Sequence, residues 1–104
     1  MVDEREDQIR VVVIDDNLLA LMGVRIGLRN FADIEIIGEA VTGAEGLELI
    51  AAERPDVALI DLLLPDMSGT AAAAVSRRAS PGTRNIIFTG ELNSSLASPR
   101  LPGS

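Results

Sequence analysis

Short runs of Val, Ile and Leu alternate along the chain with longer stretches in which apolar residues recur at helical spacing. The runs occupy residues 9–14, 34–40, 56–61 and 86–89, and the longer stretches occupy residues 18–28, 44–54 and 70–79. Runs of this length are typical of strands and too short for buried helices. Strands that alternate with helices form parallel sheets through right-handed crossovers. The pattern therefore predicts an α/β, doubly wound parallel sheet.

The composition agrees with a single domain of this class. At 104 residues the chain is long enough for one core. Apolar residues make up 47% of it and only Phe31 and Phe88 are aromatic, so the core must be aliphatic, as in parallel sheets covered by helices. Residues 9–90 carry the alternating pattern. A polar segment (1–8) precedes them, and a tail (91–104) with no helical or strand pattern follows.

Charge and hydropathy argue against two classes of partner. Nine basic and sixteen acidic residues give a net charge of -7, which disfavours direct binding to nucleic acid. The apolar runs are far shorter than the roughly 20 residues of a membrane helix. The amino terminus is acidic, unlike a signal peptide. We therefore expect a cytoplasmic protein that contacts neither membrane nor nucleic acid.

The chain contains no Cys, His, Lys, Tyr or Trp. Their absence excludes disulfides, zinc sites made of thiolates or imidazoles, and catalytic triads built on Cys or His. The polar groups that remain are carboxylates, hydroxyls, backbone groups and guanidinium. Hard cations such as Mg²⁺ prefer oxygen ligands of this kind.

Local signals refine the elements. Asn17 is placed to cap the first helix, in which Gly23 and Gly27 lower helix propensity but would allow close packing on the sheet. Residues 62–69 read as a loop around a proline. Asp66 lies in the Pro-Asp-Met-Ser-Gly part of this loop and is assigned to turn formation.

Acidic and hydroxyl side chains stand at the ends of three predicted strands. Asp15 and Asp16 follow the first, Asp61 ends the third and Thr89 ends the fourth. Ligands of doubly wound sheets bind beyond the carboxyl ends of the strands. If the first and third strands are neighbours, the three acids crowd together, and a divalent cation would offset their repulsion. A single Asp after a strand is more often a helix cap, but three acids at two strand ends favour a metal site.

The stretches that carry these residues resemble the receiver domain of two-component response regulators. They are Val-Val-Val-Ile-Asp-Asp-Asn at 11–17, Pro-Asp-Val-Ala-Leu-Ile-Asp-Leu-Leu-Leu-Pro-Asp-Met-Ser-Gly at 55–69 and Ile-Ile-Phe-Thr-Gly at 86–90. Gly38-Glu39-Ala40 and Thr42-Gly43 further resemble receivers of the LuxR/NarL type. The resemblance spans about residues 9–90. It implies a flavodoxin-like fold, here with strand order 2-1-3-4.

The resemblance also implies a role for each site residue. Asp61 would accept a phosphoryl group from a sensor histidine kinase. Mg²⁺ would be bound by Asp15, Asp16, Asp61 and the backbone carbonyl of Leu63, and Thr89 would be the switch hydroxyl. The domain would be a signalling phosphoacceptor rather than an enzyme, with at most self-phosphorylation and self-dephosphorylation.

The chain departs from the family pattern after the fourth predicted strand. Receivers carry a Lys at the end of a fifth strand, followed by a fifth helix, whereas this chain contains no Lys and its last residues show neither pattern. Arg84 or Arg100 are candidates to replace the Lys. Without the fifth strand and helix, the fourth strand and the first helix would expose apolar surface. This predicts a homodimer or other self-association.

Two other functions stay open at this point. The missing Lys favours a protein-interaction or dimerisation module that keeps the acidic pocket but no longer switches. A Mg²⁺-dependent phosphohydrolase of the haloacid dehalogenase type would place a second Asp two residues after its nucleophile, and Leu63 occupies that position. Asp15, Asp16, Asp61 and Thr89 together favour the phosphoacceptor.

Overall fold

The computed structural model describes residues 7–89, along which strands and helices alternate. The strands are β1 (Ile9–Ile14), β2 (Ile34–Ala40), β3 (Val57–Asp61) and β4 (Arg84–Phe88), and the helices are α1 (Leu18–Leu28), α2 (Gly43–Glu53) and α3 (Gly69–Ala79). Every element predicted from the sequence is present. The predicted tail (91–104) lies outside the described residues.

Some element boundaries differ from the prediction: β3 begins one residue later, and α2 and β4 each end one residue earlier, whereas other elements begin before their apolar run. β4 begins at Arg84 because this residue and the next pair with β3. α2 and α3 each begin one residue early, at a glycine, because Thr42 and Ser68 supply their N-caps. At 11 residues each, the described helices fall short of what a membrane crossing requires.

All four strands are parallel, in the order β2-β1-β3-β4. This is the order predicted for the flavodoxin-like fold. Ile14, at the end of β1, lies opposite Ala40 of β2 and Ile60 of β3. Phe88, at the end of β4, lies opposite Asp61. The carboxyl ends of all four strands therefore meet at one edge of the sheet.

Helices cover the two faces of the sheet unequally. On one face, α2 and α3 enclose a buried aliphatic cluster that consists of Val12, Ile14, Ala40, Ile50, Ala58, Ile60, Ala72 and Ala73. On the other face, Leu21 of α1 packs against Val11 and Val13. Full burial of a Val, Leu or Ile side chain is worth about 1.5–3 kcal/mol. Residues 11–14 of β1 are buried from both sides, which explains their unbroken apolar run.

The prediction that Gly23 and Gly27 let α1 pack closely on the sheet was wrong. A Cβ atom added at either position would meet no atom within 4 Å. The close approach occurs in α2, where a Cβ atom on Gly46 would overlap the Cδ1 atom of Ile14. Gly46 therefore lets α2 lie directly on the end of β1, next to the acidic residues.

Candidate functional site

Asp15 and Asp16 follow directly on β1. The N–H of Asp15 donates to the carbonyl of Ala40 over 3.0 Å, and the residue is fully buried. Its Oδ1 atom accepts a hydrogen bond from the N–H of Asn17 over 2.9 Å. Asp16, one residue further, is exposed. The two carboxylates therefore leave the strand in different environments.

Asn17, rather than either Asp, caps α1. Its Oδ1 atom accepts hydrogen bonds from the N–H groups of Leu19 (2.9 Å) and Ala20 (3.2 Å). The prediction that Asn17 caps this helix is confirmed. The alternative that Asp15 and Asp16 serve only as its cap is wrong, because Asn17 fills that position.

Asp61 is the last residue of β3 and lies beside the other two acids. It is only 6% exposed. One carboxylate oxygen from each of Asp15, Asp16 and Asp61 lies within 4.8 Å of the others. The strands that carry Asp15 and Asp61 are direct neighbours, as the sequence argument required. The sheet thus brings together the three acids that were singled out from the sequence.

Burial and crowding make this cluster unfavourable without a counter-charge. The pKa of the Asp15 carboxyl is raised above its ordinary value, chiefly by burial. The N–H of Asn17 opposes this rise in pKa, whereas the nearby charges of Asp61 and Asp16 add to it. No N–H or O–H group of the described residues donates to the buried Oδ2 atom of Asp15.

The cluster fits a hard divalent cation. A buried carboxylate oxygen that lacks a donor costs free energy, and a cation coordinated by it would remove that cost. Carboxylate oxygens are also the ligands that Mg²⁺ prefers. The buried Oδ2 atom of Asp15 therefore supports the choice of Mg²⁺ for this cluster.

Thr89 follows β4 at the same edge of the sheet. The residue before it, Phe88, lies opposite Asp61. The carbonyl of Phe88 accepts a hydrogen bond from the N–H of Leu62 over 2.7 Å. Thr89 is exposed. The predicted switch hydroxyl is thus carried on the strand next to Asp61, just beyond its end.

Neither arginine that was considered as a replacement for the family's Lys is supported by the structure. Arg84 begins β4, opposite Val57, whereas Asp61 lies opposite Phe88. Four residues of strand span about 13 Å, so Arg84 lies at the far edge of the sheet and the prediction for it is wrong. Arg100 lies outside the described residues.

The loop between β3 and α3 turns back over the end of β3. The N–H of Gly69 donates to the carbonyl of Leu62 over 2.7 Å, and Leu63 pairs with Ser68 in an isolated antiparallel bridge. A Cβ atom on Gly69 would overlap the carbonyl oxygen of Asp61, so only glycine fits there. The N–H of Leu63 lies 3.4 Å from Oδ1 of Asp61. A metal-binding role for the Leu63 carbonyl stays a prediction.

Asp66 makes contacts that the sequence reasoning missed. It lies in a turn, as predicted, which the N–H of Leu64 closes by donating to the carbonyl of Met67 over 3.2 Å. Its side chain, however, accepts hydrogen bonds from the N–H groups of Gly43 (2.8 Å) and Ala44 (2.9 Å) at the start of α2. These bonds, with that of Ala44 contributing most, hold the pKa of the Asp66 carboxyl below its ordinary value.

Comparison with known proteins decides which family has this arrangement. The family model for the response regulator receiver domain matches residues 11–100. The chain belongs to this family. Its relatives include regulators named NarL, which confirms the LuxR/NarL type predicted from the sequence.

The relatives are longer than this receiver domain. It is 36% identical over 80 residues to YhcZ, an uncharacterized transcriptional regulatory protein of Bacillus subtilis, over 77% of this chain and 37% of YhcZ. It is 39% identical over 89 residues to the probable transcriptional regulatory protein NarL of Mycobacterium tuberculosis, over 86% of this chain and 41% of NarL. The chain thus spans about two fifths of the length of these relatives.

A solved structure matches the fold as well as the sequence. The signal receiver domain of the putative response regulator NarL from Mycobacterium tuberculosis superimposes with a TM-score of 0.76 and 37% sequence identity. The match covers 88% of this chain and 74% of that domain. The likeness therefore extends across most of both chains.

Asp15→Asn is expected to stabilise the metal-free domain at neutral pH. The amide keeps the oxygen that accepts the Asn17 hydrogen bond, removes a buried charge and adds an N–H donor. Because the folded-state pKa of Asp15 lies above its ordinary value of 3.8, the folded state holds this proton more tightly than the unfolded state. The stability contributed by Asp15 therefore falls as pH rises from about 4 through its folded-state pKa, and Asp15→Asn removes this loss.

Thermal unfolding between about pH 4 and pH 8 measures the effect. At pH 7 we expect the melting temperature of Asp15→Asn to exceed that of the unmodified domain by roughly 4 °C, about 1 kcal/mol for a domain of this size. This difference in melting temperature should vanish at about pH 4. Asp33→Asn, which removes an exposed charge, is the control. Equal shifts in the two variants, or a destabilised Asp15→Asn, would contradict the electrostatic account.

Proposed function

We propose that this receiver domain accepts a phosphoryl group on Asp61 from a sensor histidine kinase, in a reaction that requires Mg²⁺. The observation that carries the proposal is the convergence of Asp15, Asp16 and Asp61 within 4.8 Å. A carboxylate oxygen of Asp61 would form a bond to the phosphorus of a phosphohistidine. The bond from phosphorus to the imidazole nitrogen would break, and its electron pair would return to the imidazole.

The other site residues would hold the cation and orient the phosphoryl group. Asp15, Asp16 and the carbonyl of Leu63 would bind Mg²⁺ together with Asp61. When bound, the cation supplies positive charge that offsets the charge on the three transferring oxygens. Thr89 would donate its hydroxyl hydrogen to one of these oxygens. The cation and Thr89 would together stabilise the charge that develops on these oxygens.

The phosphoacceptor role is favoured over the alternatives. A phosphohydrolase of the kind considered above needs an acid at position 63, where Leu63 places an apolar side chain that is 62% exposed. A module that only binds other proteins has no need for two buried carboxylates beside each other. The domain would signal through its own phosphorylation rather than turn over a substrate. A cytoplasmic location stays a prediction.

The described surface also supports self-association. Among residues 7–89, β4 pairs only with β3, and its Ile86 and Ile87 are 45% and 39% exposed. The large apolar residues of α1 that are also exposed are Leu18, Leu19, Met22 and Ile26. An open strand edge and exposed apolar surface each favour pairing with another chain. We therefore include a homodimer formed through the β4 edge in the proposal.

Intact-protein mass spectrometry tests the phosphoacceptor proposal. After incubation with a small-molecule phosphodonor and Mg²⁺, we expect one added phosphoryl group on the unmodified domain. Asp61→Asn should lose the adduct because an amide is not a comparable nucleophile, and a chelator should reduce it to background. An adduct that persists in Asp61→Asn would place the acceptor elsewhere. No adduct on a folded, Mg²⁺-binding domain would favour the interaction module.

Sedimentation velocity at increasing protein concentration tests the dimer. We expect the mean sedimentation coefficient to rise with concentration in the unmodified domain. Ile86→Lys should shift the population to monomer because a charge on the β4 edge opposes strand pairing. Glu35→Lys on β2, the other outer strand, is the matched control and should leave association unchanged. A mass that stays monomeric at every concentration would refute the dimer.

A further inference from the structure

Asp66 joins two parts of the domain that are distant in sequence. Its two carboxylate oxygens accept separate hydrogen bonds from the N–H groups of Gly43 and Ala44, over 2.8 and 2.9 Å. These N–H groups are at the start of α2 and have no partner within the helix. A carboxylate is well suited to this position, since it accepts two bonds and its charge is favourable at a helix N-terminus. The bond pair fixes the loop of residues 62–68 to α2.

The same loop is held at two further points. The side chain of Met67 lies against Gly43, where a Cβ atom would overlap it. Gly69 lies against the backbone of Asp61, and its N–H donates a hydrogen bond to the carbonyl of Leu62. Between these points lies Leu63. The position of its backbone is therefore set by contacts at both ends of the loop, and the contact with α2 is made by the charged side chain of Asp66.

We propose that Asp66 is a positioning residue for the cation site. By fixing the loop to α2, it places the Leu63 carbonyl for coordination without touching the cation or the phosphoryl group itself. The inference rests on the proposed function, because it takes Leu63 as a ligand of the Mg²⁺ bound by Asp15, Asp16 and Asp61. Asp66 would then influence the affinity for Mg²⁺ without being one of its ligands.

The chain offers a control that separates positioning from helix stability. Thr42 caps the same helix, since its hydroxyl oxygen accepts a hydrogen bond from the N–H of Glu45 over 3.1 Å. Thr42 precedes α2, and in the described part of the chain no hydrogen bond joins it to the loop of residues 62–68. Thr42→Ala and Asp66→Ala should each weaken the start of α2. Only Asp66→Ala also releases the loop.

A Mg²⁺ titration followed by ¹H–¹⁵N NMR measures the effect on the folded domain. Asp66→Ala should raise the dissociation constant ~10-fold, the lower end of what loss of an outer-shell partner does to metal sites. Thr42→Ala should leave it unchanged. Asp66→Asn keeps one acceptor oxygen, so its dissociation constant for Mg²⁺ should lie between those of Asp66→Ala and the unmodified domain. Without the metal, the N–H groups of Leu64 and Gly69 should exchange with deuterium faster in Asp66→Ala than in Thr42→Ala.

The possible outcomes distinguish this inference from the proposed function. Equal affinities in Asp66→Ala and the unmodified domain would overturn the positioning role and leave the proposed function intact. Equal weakening in Asp66→Ala and Thr42→Ala would also overturn it, since helix stability alone would then account for the change. If Asp66→Ala does not fold, unchanged affinity in Asp66→Asn would refute the role. An unmodified domain that binds no Mg²⁺ would refute both proposals.

Discussion

The parallel pairing of β1 with β3 is the constraint on which the candidate site depends. Because Ile14 lies opposite Ile60, the next residues, Asp15 and Asp61, must emerge together at one edge of the sheet. The strands are fixed by a close-packed aliphatic core, so the carboxylates cannot relieve their repulsion by moving apart. A proton or a cation must relieve it. The same core that stabilises the domain thus holds the carboxylates close together, and we propose that Mg²⁺ offsets their repulsion.

The loop after β3 is held in place by contacts that the strands alone do not provide. Gly69 allows the loop to fold back onto Asp61, and Asp66 fixes it to the start of α2. Sites that bind metals depend on partners beyond the direct ligands, since these set how well the ligands are oriented before binding. The acids at the strand ends and the loop that follows β3 are therefore best understood as one unit.

Much of this arrangement could be predicted from the sequence because strand ends and helix caps leave local signals. The apolar runs predicted the strands, and Asn17 was correctly predicted to cap α1. Asp66 was missed because its partners are backbone N–H groups more than 20 residues away, which no side-chain pattern encodes. The prediction for Arg84 failed because the strand begins at that residue, which places it at the amino edge of the sheet.

Paramagnetic broadening by Mn²⁺, a substitute for Mg²⁺, tests the central claim that the ends of β1 and β3 form one cation site. In ¹H–¹⁵N spectra at low Mn²⁺ concentration, the account predicts that the amides of residues 14–17 and 60–64 lose intensity together, at the same metal concentration. Amides near exposed acids such as Glu35 and Glu48 should keep their intensity at that Mn²⁺ concentration. Broadening of only one stretch, or earlier broadening at the exposed acids, would contradict the account.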